Sequence, residues 1–122
     1  MILSQIESCF YLAQSLIETL IKENIEIAFL KPIKISDESQ NKTKMTNSEI
    51  LDSKRAIIRH FKRAARLLEK LQPGFTFLLF NGAIYIWNNY LPIFRNPVND
   101  SRLLPEVADL LGDYFWQMQV AI

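Results

Sequence analysis

Charge is missing where it matters most. Between Lys70 and Arg95 there is no charged side chain, and inside that gap lies FTFLLFNGAIYIWNNYLPIF, residues 75–94. Histidine is nearly missing too. His60 is the only one, which excludes a His-pair metal site or a paired proton relay. The single cysteine, Cys9, excludes an internal disulfide, fits a reducing compartment, and lies on an apolar helical face where a thiol is an inert hydrophobe. Net charge is only +1, so no global field draws the chain to nucleic acid or lipid. Three glycines and five prolines are few, and the prolines fall between or at the ends of helical patterns. No glycine-rich phosphate loop is present: Pro73-Gly74 and Asn81-Gly82 carry lone glycines. No basic region precedes the first apolar residues, so no secretory leader is expected.

What is present is helical. The 122 residues suffice for one core. Ile2, Ile6, Cys9, Phe10, Ala13, Leu16, Ile17, Leu20 and Ile21 recur at helical spacing, predicting an N-terminal amphipathic helix within residues 1–30. Tyr11 and Leu12 interrupt its polar side. Residues 25–35 suit either a short strand or a helix that fades into an extended tether, and Pro32 disfavours helix at Lys31. Residues 31–45 read as a polar linker between helices. A unit of three helices follows over 46–122, at about 47–71, 75–91 and 103–121. Thr46 and Glu49 form a capping box before the first of these, and Pro73-Gly74 stops it. The short connection makes it antiparallel to the next, which Pro92 closes. Pro105 sits in the first turn of the last.

The central stretch is apolar almost all round, so it is expected to be buried in protein or in a membrane. Thr76, Asn81, Asn88, Asn89 and Pro92, and the lack of basic flanks, favour protein. The expected core residues are Phe61, Leu68, Phe80, Trp87, Leu111 and Phe115. Asn81 and Asn88 share one stripe and are expected to cross-link buried helices.

The 47–71 helix carries Arg55, Arg59, Lys62, Arg63, Arg66 and Lys70 on one arc, opposite Ile57, Ile58, Phe61, Ala64, Ala65, Leu68 and Leu71. Such an arc suits an acidic partner, whether a protein helix, tubulin or calmodulin. Nucleic acid is disfavoured, because no aromatics interleave with the cations. Glu106, Asp109 and Asp113 line a face of the last helix and are expected to be solvated rather than catalytic. That helix gathers Leu104, Val107, Ala108, Leu111, Tyr114, Phe115, Met118 and Ile122 on one face. Trp116 and Val120 lie on the other, as a second contact surface. No enzymatic activity, metal or cofactor is expected.

Phe61 and Ala64 are spaced as in the second helix of a tetratricopeptide repeat, although the other signature positions are not filled. The run FLLFNGAIYIWNNYLPIF followed by LLPEVADLL resembles a segment of the large cilia- and flagella-associated scaffold proteins of the axonemal central apparatus. Asn81, Gly82, Trp87 and Pro92, then Leu103–Leu111, carry the resemblance, which covers about residues 50–115. It implies an all-α, tetratricopeptide-like α-solenoid segment and a non-enzymatic scaffold of the motile cilium. It also implies a cytoplasmic, axonemal location, other central-apparatus proteins as partners, and tubulin or calmodulin nearby. The small size suggests a piece of a larger chain. Two other readings stand beside it: a free-standing helical adaptor for an acidic or amphipathic peptide, and a membrane-inserted protein spanning with residues 75–94.

Overall fold

A computed structural model describes residues 2–23, 46–71, 76–95 and 101–121. Four helices, α1 (Ile2–Lys22), α2 (Asn47–Leu71), α3 (Thr76–Arg95) and α4 (Leu104–Ala121), account for nearly all of them. A short 3₁₀ turn, Ser101–Leu103, leads into α4. Among the described residues there is no strand. The ambiguous segment 25–35 and the predicted linker 31–45 lie outside them; before that gap α1 closes at Lys22, with the Glu23 amide donating to the Leu20 carbonyl.

The capping box forms as the sequence requires. The Glu49 amide donates to Thr46 Oγ1 at 3.1 Å, and the Thr46 amide donates to Glu49 Oε1 at 3.2 Å. Two amides that would otherwise point into solvent unpaired are thereby satisfied. At the far end of α3 the expectation fails. Pro92 does not close the helix, which runs one further turn to Arg95. Proline removes one amide from the ladder, and its φ is compatible with a helix. Burial of Ile93 just beyond it anchors the extra turn.

α1 packs along α2 more extensively than any other pair of helices, and α3 packs chiefly on α4. α2 and α4 are parallel. Arg55 meets Glu106, Phe61 meets Tyr114 and Ala65 meets Gln117, so the numbers rise together. α3 runs opposite to α4: Gly82 approaches the Tyr114 ring, while Tyr90 lies in the field of Glu106.

Phe61 is the hub. It is fully buried, with the Phe10 ring at 5.9 Å and the Tyr85 ring edge-on at 5.9 Å. The Tyr114 hydroxyl donates to the Phe61 carbonyl at 2.9 Å. Three helices therefore meet α2 at one residue. Each such buried aromatic or aliphatic side chain contributes about 1.5–3 kcal/mol of transfer free energy. Gly82 allows the closeness. A Cβ there would lie 2.8 Å from Phe10 Cζ and 3.2 Å from Tyr114 Cε2, with both rings already packed.

Candidate interaction surface

The two faces of α3 are chemically alike and structurally opposite. Leu79, Gly82, Ala83, Ile86, Tyr90 and Ile93 are buried. On the other side Phe77, Ile84, Trp87 and Phe94 are exposed, with Phe80 and Leu91 half-buried among them. These six residues step by three and four in alternation, the a/d spacing of a helix-pair seam. Trp87 is 39% exposed and stacks on Phe94 with ring centroids 5.6 Å apart. Trp87 is thus not a core residue, and Phe80 is only partly covered. Before Arg95, α3 has no charge to mark its outer side, and the inner face is the one that holds Gly82 and Ala83. Being small, they let α3 approach its neighbours there and turn the bulky stripe outward. Asn81 and Asn88 are exposed rather than buried cross-links. Asn89 is the half-buried amide, donating to the Tyr85 carbonyl one turn back at 2.8 Å.

α4 is rotated from its expected setting in the same sense. Its buried residues are Val107, Leu110, Leu111, Tyr114 and Gln117, together with Leu103 from the preceding turn. Phe115, expected in the core, is 45% exposed. Gln117 Nε2 donates to the Ala65 carbonyl at 2.9 Å, and with Tyr114 it gives α4 two polar tips that reach α2 backbone. Those bonds draw the Tyr114–Gln117 edge inward and swing Phe115 out. Burial pushes the Tyr114 hydroxyl far above its usual range, so it remains a donor. Of the expected core residues, Phe61, Leu68 and Leu111 are buried. Ala83, Ile84 and Trp87 of α3 and Phe115 and Met118 of α4 line a shallow apolar groove of about 310 Å³.

The basic arc of α2 does not face outward as a whole. Arg55 Nε donates to Glu106 Oε1 at 3.1 Å, and Lys62 pairs with Asp109. These cations are therefore held within the chain, and the acidic face of α4 is where they converge. The parallel register of α2 and α4, which sets charge against charge, is a tertiary fact that neither helix shows alone. Both pairs are partly exposed to solvent and are worth about 0.2–1 kcal/mol each. Arg59, Arg63, Arg66 and Lys70 remain on the surface. Trp116 and Val120 are exposed at 59% and 66%. Trp116 shares a groove of about 240 Å³ with Ala65, Arg66, Glu69, Asp113 and Gln117, so one aromatic and one cation expected on separate surfaces lie together.

His60 is half-buried, and desolvation, then Arg59 and Arg63, lowers its pKa below the usual value. Cys9 is buried, and its thiol is raised by burial despite the nearby Arg63. Among the described residues no group of three or more metal-ligating side chains gathers, and no helix is long and apolar enough to cross a membrane. Sequence reading missed Lys54 and Gln117, both buried. The signal existed in each case: Lys54 extends the Ile57–Ile58–Phe61 series back by one step, and Gln117 extends Leu110–Tyr114 forward. Compared with protein-family models, with curated proteins and with solved structures, the chain finds no match.

Proposed function

We propose that this chain is a non-enzymatic interaction module, a tetratricopeptide-like segment of a helical array that receives a further helix on its open α3–α4 face. The observation that carries the reading is the uncovered a/d stripe of α3 beside the exposed Phe115 of α4. Apolar patches of this kind on a folded surface mark contact sites. The order of packing supports an array: α1 on α2, α3 against α2 and α4, and α2 parallel to α4. A further helix would lie along the groove lined by Ile84, Trp87 and Phe115.

The axonemal setting rests on the resemblance carried by Asn81, Gly82, Trp87 and Pro92. In that setting the apolar face holds a neighbouring scaffold element, and Arg59, Arg63, Arg66 and Lys70 lean toward an acidic partner such as tubulin or calmodulin. The test is retention. A tagged chain expressed in ciliated cells is expected to stay with demembranated axonemes, and Ile84→Glu is expected to release it. A tagged chain that washes out with the soluble fraction overturns the axonemal setting.

A further inference from the structure

We infer that the open α3 stripe is a self-association seam, occupied by the same stripe of a second copy in antiparallel orientation. This rests on the interaction-module reading above and names its occupant.

The spacing comes first. Phe77, Phe80, Ile84, Trp87, Leu91 and Phe94 keep strict a/d steps along the whole of α3. A stripe that narrow is the signature of one helix packed along another, rather than of a helix laid on a broad core. The partner is therefore a helix with a matching apolar repeat.

Charge decides which helix. A seam built for a foreign helix is commonly specified by charges beside it. Here no charged residue occurs on α3 before Arg95. The stripe meets its own copy with no like charges opposed and no charge left buried. What flanks it instead is Asn81 and Asn88, both exposed. An amide carries donors and an acceptor, so it is complementary to another amide. In an antiparallel pair the two flanking positions on one side face each other, setting Asn81 against Asn88 of the second copy. The same orientation places Ile84 against the larger Trp87 of the copy, opposes the helix dipoles head to tail, and keeps the two Arg95 side chains apart.

Area agrees. Phe77 and Ile84 are each 58% exposed, and Trp87, Phe94 and Phe115 keep 39%, 41% and 45%. With an aromatic side chain offering about 150–250 Å², the face presents roughly 400–500 Å² of apolar surface per copy. Two copies bury about 1,000 Å² with the rim included, the lower bound for a specific interface. An interface of that size belongs to the transient class and not to obligate dimers.

Sedimentation velocity over a range from about 1 µM to about 1 mM tests it. The expected result is a monomer passing to a species of twice the chain mass and no further. Ile84→Glu and, independently, Phe77→Glu are expected to weaken dimerisation at least ~10-fold while circular dichroism stays helical, since burying a charge in the seam is costly. Asp52→Asn, at an exposed position of α2, is expected to leave dimerisation unchanged. A chain that stays monomeric throughout, or a dimer indifferent to both glutamates, overturns the proposal. So does a series of growing oligomers. Orientation is read by mixing Asn81→Cys with Asn88→Cys chains under mild oxidation. The mixed disulfide is expected to predominate, and predominance of the two like-with-like disulfides overturns the antiparallel arrangement. Axonemal retention is measured separately, so a monomer that is still retained refutes the second copy without refuting the interaction module.

Discussion

α2 and α3 have opposite ways of being amphipathic. α2 sets Ile57, Ile58, Phe61, Ala64, Ala65 and Leu68 against a charged arc, and the structure buries the apolar side. α3 offers apolar groups on both sides, and the structure buries only the side that holds Gly82 and Ala83. Hydrophobicity thus tells a reader which face of α2 is inside and says nothing about α3. Packing chooses the face of α3, through where a small residue lets two rings come close. What is left over, Phe77, Ile84, Trp87 and Phe94, is bulky, apolar and exposed.

The strongest way to break this contrast is at Phe61. Phe61→Ala is expected to cost about 3–5 kcal/mol in urea unfolding, since its fully buried ring meets Phe10 of α1 and Tyr85 of α3. A loss near 1 kcal/mol would mean that the α2 face is not the hub. Next comes Gly82→Val, expected to cost about 1–3 kcal/mol by driving Phe10 and Tyr114 apart. If the variant matches the parent in unfolding midpoint, the small residue does not set which side of α3 faces inward.

The smallest effect concerns pH. The folded-state pKa of His60 is depressed, first by desolvation and then by Arg59 and Arg63. The unfolded chain therefore binds the proton more readily. The contribution of neutral His60 is complete above its ordinary value of 6.5 and is lost as pH falls through the lowered one. Stability is expected to decline below about pH 6.5, and His60→Gln to flatten that decline between pH 6.5 and the range where carboxylates titrate. An unchanged slope in the variant would place the titration elsewhere.

Much of this fold is legible in the residues. The four helices, the Thr46–Glu49 cap and the apolar sides of α1 and α2 follow from spacing and capping chemistry alone. What could not be read depends on neighbours. The pairs Arg55–Glu106 and Lys62–Asp109 need the parallel setting of α2 and α4. The rotation of α4 depends on two polar tips finding α2 carbonyls, which turns Phe115 outward although its side chain is as apolar as Leu111. The extra turn past Pro92 depends on a buried Ile93. Trp87 shows the limit most directly: size and apolarity mark it for the core, and the same properties suit a contact surface.

The central claim is that α3 has one face built for this chain and another left open. Two neighbouring isoleucines test it: Ile86 is fully buried and Ile84 is 58% exposed. Urea unfolding of Ile84→Glu and Ile86→Glu, at a concentration too low for self-association, compares the two faces directly. Ile84→Glu is expected to stay within about 0.5 kcal/mol of the parent. Ile86→Glu is expected to lose its cooperative transition, because an unpaired carboxylate is forced into the core. Equal losses in the two variants, or the larger loss at Ile84, would contradict the account.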